Sequence, residues 1–380
     1  MKGDIFDGSR GLACGYIETD DPIIFEATSR PWEVLSEPLG TKGFYNRKHY
    51  VATKSVVLYR EHFSAPTRLR GISPPGMLVV VVPLQLGERT RYDGHDPQPS
   101  VIRLSAPGAL DAIVDADSAH FILLIDLDFL QRQLGQDAEQ DPGIKALMET
   151  ANRRNGLAVE PETFSAFSDW LDQILASAGP RERRCDAKGP DKRGIIRKAR
   201  PNAEKAERLT ELLEHQLPRR LVELCRPPSR KLPPPRGGVS RSAVIGQALA
   251  YLTDASVPIP SVGDLCRVTG AKQRTLEYAF EERFGLSPLR FVRVYRLHQV
   301  RRNLAAAEPG SVRVAEMALT HGFRHPSRFS REYKELFGEL PSQTLARQVQ
   351  RLSAAPLICS SAAGSKPSRT YQAHISLSVS

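Results

Sequence analysis

The chain has 380 residues, 41% of them hydrophobic, and a formal net charge of +10. This length and this apolar content exclude a disordered protein and favour two domains joined by a linker. Residues 1–178 carry 17 basic and 25 acidic side chains, whereas residues 179–380 carry 36 and 18. The asymmetry suits a chain whose C-terminal half meets a polyanion, because neutralising phosphates releases counterions. An incidental imbalance in a soluble protein is the alternative.

Five cysteines are spread over the chain, and no two of them form a Cys-x-x-Cys pair. This spacing predicts neither a disulfide framework nor a zinc site. The first residues lack the basic-then-apolar order of a signal peptide, and the longest apolar run, residues 77–84, is too short to cross a bilayer. We therefore expect a cytoplasmic protein with no membrane partner and no cofactor.

Residues 32–125 are rich in β-branched side chains and are interrupted by Gly and Pro. Short strands are predicted at residues 22–27, 55–59, 78–84, 100–104 and 119–125. Strands of this length and spacing favour an antiparallel barrel or sandwich. Beyond residue 126 apolar side chains recur at helical spacing, as in Leu127, Leu130 and Leu134. A β domain with following helices is predicted for residues 1–178.

Residues 179–239 combine many prolines with basic side chains, a composition that buries too little apolar surface to fold. We predict a basic, proline-rich linker over this segment. Within it, leucines recur at helical spacing between residues 204 and 224, which leaves open a solvated local helix or a helix that binds a partner. The tail, residues 351–380, is predicted to be disordered because its side chains are small and polar.

Residues 240–350 contain an internal repeat. Residues 261–270 predict a short helix that ends in a turn, residues 271–284 predict a second helix, and the same pattern returns after residue 314. At an offset of 53, the following positions match: Leu276 and Phe329, Phe280 and Tyr333, Phe284 and Phe337, Gly285 and Gly338, Pro288 and Pro341. Such agreement is hard to attribute to chance, so two helix-turn-helix units are predicted.

The two units need defined helix ends and a rigid connection. Gly285 and Gly338 are predicted to end the second helix of each unit in the left-handed conformation. Between the units, Leu297, Val300 and Leu304 lie on one face of a predicted helix and can pack on both units. Because successive major-groove faces of B-DNA recur at roughly 34 Å, a rigid connector lets one chain contact two turns of the duplex.

This region resembles the AraC/XylS family of bacterial regulators. The resemblance rests on Leu276-Glu-Tyr-Ala-Phe280, Phe284-Gly-Leu-Ser-Pro288, Arg296-Leu297, Gly322-Phe323 and Phe337-Gly-Glu-Leu-Pro341. It implies an α+β multidomain protein with an N-terminal cupin-like β-barrel with helices, and a C-terminal all-α domain with two helix-turn-helix units. It also implies a sequence-specific DNA-binding transcription regulator and activator, which acts with RNA polymerase on the bacterial nucleoid. The N-terminal domain would sense a small-molecule effector or form a homodimer.

The resemblance and the apolar stripes together select residues for contact with double-stranded DNA. The predicted base-contacting residues are Arg274, Thr275, Glu277 and Tyr278 in the first unit and Ser327, Arg328, Ser330 and Arg331 in the second. Arginine can bind guanine with two hydrogen bonds, and glutamate can accept one from cytosine. Lys272, Gln273 and Arg324 are predicted to contact backbone phosphates, which position a protein without specifying sequence. A solvated helix face with ordinary charges is the alternative for all of them.

Two other classes of function stay open at this point. Metal catalysis in the N-terminal domain would need ligands from His49, His62, His95 and His120, but these lack the His-x-His arrangement of a metal cupin. His321 is expected to serve the second turn and not a metal. A regulator without an effector would recruit a partner instead, whereas effector control needs an apolar cavity. The candidate cavity residues are Val57, Tyr59, Val80, Val82 and Leu84, and simple filling of a small barrel is the alternative.

Overall fold

The described residues up to 231 contain strands and helices, whereas those from 241 onward contain helices only. The computed structural model describes residues 11–40, 43–93, 95–134, 141–179, 195–226, 230–231, 241–253, 260–307 and 311–351. The strands are β1 Ala13–Thr19, β2 Glu33–Pro38, β3 Asn46–Ala52, β4 Val56–Phe63, β5 Thr67–Ile72, β6 Met77–Gln85, β7 Arg91–Tyr92, β8 Val101–Ser105, β9 Ala109–Val114, β10 Ser118–Asp126, β11 Gly156–Ala158, β12 Ile195–Ala199 and β13 Arg230–Lys231.

The helices fall into two groups, on either side of residues 232–240. The first group is α1 Pro22–Thr28, α2 Leu127–Leu134, α3 Pro142–Asn152, α4 Pro161–Ala178, α5 Ala203–Glu211 and α6 Leu217–Leu224, with a π-helical turn at Leu212–Gln216. The second group is α7 Arg241–Thr253, α8 Val262–Thr269, α9 Gln273–Phe284, α10 Pro288–Ala306, α11 Val314–Thr320, α12 Pro326–Phe337 and α13 Pro341–Arg351. The predicted β-rich N-terminal half and helical C-terminal half are confirmed.

The described strands form two antiparallel sheets. The larger sheet has the order β12-β1-β3-β4-β10-β6-β8-β11-β13, and the smaller has the order β2-β5-β9-β7. Within the described residues neither sheet closes on itself through hydrogen bonds. The closed cupin-like barrel therefore stays a prediction, and the sheets define a β-rich domain.

The larger sheet separates two cores because side chains alternate along each strand. On one face, Leu58, Val80 and Leu123 pack against helices α2 to α6. On the other face, Tyr59 and Ile122 belong to a core that includes residues of the smaller sheet. The inner face of the larger sheet and the smaller sheet therefore enclose a separate space.

The strand predicted at residues 22–27 is wrong, because these residues form α1. Pro22 occupies the first turn, where a missing N–H costs nothing. The carboxylate of Asp21 accepts a hydrogen bond from the Ile23 amide at 2.9 Å and caps the helix. This local capping outweighs the β-branched side chains of the segment.

Much of the predicted linker is folded onto the N-terminal domain. β12 pairs with β1, and Leu209, Leu213, Leu217 and Leu221 are each no more than 1% exposed. The helical spacing of these leucines correctly indicated a helix. They pack against the larger sheet and its helices, so the segment forms neither a solvated helix nor a helix that is free to bind a partner. The basic and proline-rich residues 180–194 and 232–240, and the tail after residue 351, lie outside the described residues.

The C-terminal half contains the two predicted helix-turn-helix units, α8 with α9 and α11 with α12. Gly285 and Gly338 end the second helices with φ angles of +63° and +70°, which confirms both predicted left-handed caps. Helix α10 joins the units, but its apolar residues divide between them: Phe291 packs with the first unit, while Leu297 and its neighbours Val300 and Leu304 pack with the second.

Candidate nucleic-acid interface

Helix α9 presents the predicted base-contacting residues of the first unit on its exposed side. Leu276, Ala279, Phe280 and Phe284 are buried on the opposite side. Arg274, Thr275, Glu277 and Tyr278 are all exposed. The tyrosine ring is 54% exposed, which is unusual for a side chain of this size and is typical of a binding surface.

Hydrogen bonds along α9 order these side chains. Arg274 Nη2 donates to the Tyr278 hydroxyl at 3.2 Å, and the guanidinium carbon lies 5.5 Å from the centre of the tyrosine ring. Gln273 Nε2 donates to Glu277 Oε1 at 2.8 Å. Gln273, predicted to contact phosphate, thus lies beside the base-contacting residues. All four bonded groups are at the surface, so DNA can displace these bonds at little cost.

Helix α12 presents the second set less uniformly. Ser327, Arg328 and Arg331 are exposed, whereas Ser330 is half-buried. Arg328 Nε donates to Glu332 Oε1 at 2.9 Å. Arg331 is 71% exposed and its Nε lies 3.9 Å from Glu335 Oε1. Arg331 is therefore free to reach a ligand, while Arg328 is already engaged.

Glu332 fixes α12 to the connecting helix. Arg293 Nε of α10 donates to Glu332 Oε2 at 2.6 Å. Partial burial opposes ionisation, but the bonds from Arg293 and Arg328 hold the pKa of the Glu332 carboxyl below its ordinary value. The carboxylate of Glu332 is thus ionised at neutral pH. It links Arg328 of α12 to Arg293 of the connecting helix α10.

Both recognition helices begin without a side-chain cap. Lys272 precedes α9 and His325 precedes α12, and neither side chain bonds a first-turn amide. By contrast, Ser261 caps α8 and Ser287 caps α10. The positive N-terminal ends of α9 and α12 are thus available for phosphate, a feature that the sequence analysis missed.

The remaining predicted residues lie near these helix starts. Lys272 and Arg324 are exposed beside the first turns of α9 and α12, where contact with phosphate is expected. His321 Nδ1 lies 2.9 Å from the Met317 carbonyl oxygen and its Nε2 lies 3.0 Å from Asn303 Nδ2. These contacts place His321 within the turn of the second unit.

The opposite side of the C-terminal domain packs on the smaller sheet. Leu39 and Ile113 share an apolar cluster with Phe280 and Phe284. The guanidinium carbon of Arg68, on β5, lies 5.8 Å from the ring centre of Phe284. The recognition helix α9 therefore packs directly on the β-rich domain.

Charged groups extend this contact along α10. Arg301 Nη2 lies 3.1 Å from Asp21 Oδ1. Arg302 lies 3.3 Å from Glu26 and 3.4 Å from Glu37, and it also donates to the Ser36 carbonyl oxygen at 3.2 Å. These pairs join residues more than 260 positions apart, so no local sequence pattern indicates them.

The environment of this contact between the domains lowers the pKa values of Glu37 and His298. Burial opposes ionisation of Glu37, but Arg70, Arg302 and Arg68 hold its pKa far below the ordinary value. His298 Nε2 donates to the Pro38 carbonyl oxygen at 3.0 Å. Burial, followed by the charge of Arg302, lowers the pKa of His298 to about 3, so the imidazole is neutral at physiological pH.

A cavity lies between the two sheets. Tyr59, one of the predicted lining residues, lines it, and Val57 lines a smaller adjoining space. Val80, Val82 and Leu84 instead belong to the helix-covered core on the other face. The even-numbered residues of β6 were expected inside, but its odd-numbered residues face the cavity, since a one-residue change of register inverts every side chain.

The smaller sheet forms one wall of the cavity. Leu69, Leu110 and Ala112 of β5 and β9 line the cavity. Their neighbours Arg68 and Ile113 contact the C-terminal domain. One layer of backbone therefore separates the cavity from the recognition unit.

No group of three His, Cys, Asp or Glu side chains among the described residues could hold a metal ion. His120 lies in the cavity, with Nε2 3.5 Å from Glu61 Oε2. None of the described helices is long and apolar enough to cross a membrane.

The geometry defines a double helix-turn-helix DNA-binding domain, and comparison with known proteins agrees. Residues 265–347 match the family described as "Helix-turn-helix domain". The probable thc operon regulatory protein of Rhodococcus erythropolis is 34% identical over 102 residues, which cover 27% of this chain and 31% of that protein. The XylDLEGF operon transcriptional activator 1 of Pseudomonas putida is 40% identical over 75 residues, which cover 20% and 23%.

One solved structure is similar in sequence over the same region. A probable AraC family transcriptional regulator from Rhodopseudomonas palustris is 30% identical, with a TM-score of 0.25, and the match covers 28% of this chain and 96% of that one. The C-terminal domain is of the AraC/XylS type that these transcriptional regulators contain. Because the match spans less than a third of the two operon regulators, it concerns the C-terminal domain.

Proposed function

We propose that the chain binds specific DNA sites through α9 and α12 and regulates transcription in response to a small molecule held between its two sheets. One observation carries the proposal: two recognition helices, each packed through an aromatic stripe, present exposed arginines at Arg274 and Arg331. A duplicated scaffold with the same exposed chemistry suits two successive major grooves.

In this proposal, the N-terminal part of the chain senses the effector and the C-terminal part binds DNA. Residues 1–178, with residues 195–226 and 230–231 packed on them, form a cupin-like sensing domain, and residues 240–350 bind DNA. The protein acts as a regulator and not as an enzyme, in the cytoplasm where its DNA lies. Activation through RNA polymerase and dimerisation through the sensing domain belong to the same proposal.

The shared wall supports control by an effector. A ligand that shifts the backbone at Leu69 or Ala112 also shifts Arg68 or Ile113, because these are adjacent residues of one strand whose side chains lie on opposite faces of the sheet. The latter pair contacts the recognition unit. Occupation of the cavity therefore changes the surface on which α9 packs, and the affinity for DNA changes with it.

The test uses the full chain. Genome-wide footprinting should give one motif with two parts about one helical turn apart, and binding should weaken steeply with salt. Expression of residues 240–350 alone should retain the motif, provided that circular dichroism shows a folded fragment. Uniform binding without any motif, by a folded full-length chain, would overturn the proposal.

A further inference from the structure

A buried carboxylate of the second recognition helix is bonded to the connecting helix. The side chain of Glu332 is 9% exposed, and its Oε2 accepts a hydrogen bond from Arg293 Nε of α10 at 2.6 Å. The Arg293 guanidinium carbon also lies 5.6 Å from the ring centre of Phe323, in the turn before α12. A hydrogen bond between two charged groups is strong and directional, so it fixes the relative orientation of the groups that it joins.

The matching position of the first unit carries no charge. At the offset of 53 between the units, Glu332 corresponds to Ala279, which is 2% exposed within the apolar cluster of α9 and α10. In that cluster the ring centres of Phe280 and Phe284 lie 5.4 Å and 4.2 Å from that of Phe291. Apolar burial is favourable but non-directional, so it allows small rotations of a helix. A charged bond therefore orients α12, whereas apolar packing holds the matching part of α9.

Arg293 lies between residues of α10 that serve different units. Val292 packs in the cluster of the first unit, and Val294 packs in that of the second. Tyr295, one turn of the helix or less from these residues, belongs to the first cluster again. The bond from Arg293 thus attaches α12 to the same turn of α10 that holds the first unit. A change in this bond changes the orientation of α12 relative to that unit.

A second contact between α12 and α10 lies further along both helices. The ring centre of Phe337 lies 5.0 Å from that of His298, and each of these residues is five positions beyond its counterpart, Glu332 or Arg293. Five residues of an α-helix span about 7.5 Å. Two contacts at this separation define the angle between the helices, and loss of the charged one leaves α12 able to pivot about Phe337.

The angle between the recognition helices bears on the spacing of the DNA site. One base pair added between two half-sites moves one of them by about 3.4 Å along the duplex and rotates it by roughly 35° about the axis. A chain whose α12 can pivot follows such a change, whereas a chain whose α12 is fixed loses contacts.

We propose that Glu332 is a positioning residue, which through Arg293 fixes α12 relative to α9 and thereby selects one spacing between the two halves of the DNA site. The inference rests on the proposed function, in which α9 and α12 bind successive major grooves. It assigns a role in specificity to two side chains that need not contact a base.

The test measures spacing preference with the full-length protein. The wild type and each variant select binders from a pool of random DNA duplexes, and sequencing gives the distance between the two half-sites in each binder. Fluorescence anisotropy then compares the best duplex with versions one base pair longer and shorter. The wild type should prefer one spacing by about tenfold or more, because any other spacing breaks a charge-assisted hydrogen bond.

Loss of the bond should broaden the accepted spacings. Glu332→Ala and Arg293→Met should each bind the longer and shorter duplexes with no more than about a threefold loss, because either change removes the bond. Glu332→Gln keeps the size of the side chain and an acceptor oxygen, so it should fold and give a preference between those of Glu332→Ala and the wild type. Arg293→Lys should likewise keep part of the preference.

Two changes on the same helix serve as controls. Glu335→Ala removes a half-exposed acidic side chain whose neighbour, at 3.9 Å, is Arg331 of the same helix, and it should leave the spacing preference unchanged. Arg328→Met removes the other partner of Glu332 while Arg293 stays in place, so it should lower affinity at every spacing alike.

Circular dichroism and urea unfolding establish that each variant is folded. A folded Glu332→Ala or Arg293→Met protein with the spacing distribution of the wild type would refute the inference, as would a wild type that accepts all spacings alike. Equal broadening in Arg328→Met would assign the effect to Arg328, and unfolding of both Glu332→Gln and Arg293→Lys would assign the pair to the fold. Selection of no two-part site by the wild type would instead count against the proposed function itself.

Discussion

The guanidinium of Arg301 lies 3.1 Å from the carboxylate of Asp21, although 280 positions separate the two residues in the chain. Both side chains are buried, and the same guanidinium lies 3.0 Å from Glu339 Oε1. One side chain of α10 thus connects the start of α1, the connecting helix and the segment before α13. The domains are joined by a buried charge network in addition to apolar packing.

Removing the central cation should destabilise the protein strongly. Arg301→Met leaves the carboxylates of Asp21 and Glu339 buried without this partner, and we expect a loss of about 3–5 kcal/mol in the free energy of unfolding. Urea denaturation at pH 7.5 measures it. Arg60→Ala is the control, because Arg60 and Asp172 pair at the surface and such a pair contributes at most about 1 kcal/mol. Equal losses in both variants would contradict the network.

The neutral imidazole of His298 should make stability depend on pH. Its ordinary pKa of 6.5 falls to about 3 in the folded chain, so between these values the unfolded chain binds a proton that the folded chain does not. The free energy of unfolding should therefore decrease as pH falls below 6.5, by about 2 kcal/mol from this residue at pH 5.

The interval from pH 6.5 to 5 lies above the ordinary pKa of 4.5 for Glu37, so that carboxyl does not yet contribute. The pKa of His95 is also lowered, chiefly by burial, and adds an effect of the same sign. His298→Gln keeps an amide donor for the Pro38 carbonyl and should flatten the slope measured by urea denaturation. An unchanged slope in this variant would assign the pH dependence to other groups.

Substitutions of two aromatic residues of α9 should have different effects, one on stability and the other on DNA binding. Phe280 is fully buried, so Phe280→Ala should cost about 3–5 kcal/mol of unfolding free energy. Tyr278 is exposed, so Tyr278→Ala should change stability by no more than about 0.5 kcal/mol while weakening binding to the cognate DNA. Thermal denaturation and fluorescence anisotropy provide the two readings. A Tyr278→Ala protein that binds DNA as the wild type does would remove this residue from the interface.

Arg274 and Arg331 should affect different halves of the DNA site. Replacing either by alanine should cost roughly 1–3 kcal/mol and relax base preference at one half only, with the two halves about one helical turn apart. Lys272→Ala should weaken binding to all sequences alike. Arg328→Ala should have a smaller effect than Arg331→Ala, because Arg328 is bonded to Glu332.

Binding of each variant to a library of single-base changes gives the positions affected. If both arginine variants lose affinity uniformly, with no change in base preference, the two side chains contact phosphate and not bases.

Local patterns were sufficient to predict the C-terminal domain. The aromatic stripe through Phe280 has helical period and returns in the second unit, and the left-handed caps at Gly285 and Gly338 follow from the absence of a side chain. Each of these features depends on residues within one helix or turn. The exposed face opposite the stripe follows from the same period.

The N-terminal domain was harder to predict because its features depend on distant residues. The parity of β6 relative to the cavity depends on its pairing with β8 and β10, which a single strand does not specify. The leucines of α5 and α6 were assigned to a linker because the composition around them is basic and proline-rich. The pairing of Arg301 with Asp21 depends on how the two domains dock, which no segment of sequence contains.

Under the proposed control by an effector, the wall formed by β5 and β9 limits how this protein can acquire a response to a new compound. Substitutions at Leu69 or Ala112 that admit another ligand also alter the surface on which α9 rests, so specificity and basal output should change together. Substitutions at Val81 or Ile122, on the larger sheet, face the same cavity but lie away from that surface. Selection for altered ligand preference without constitutive activity should therefore recover changes in the larger sheet, while changes in the smaller sheet should be recovered with compensating changes in α9 or α10.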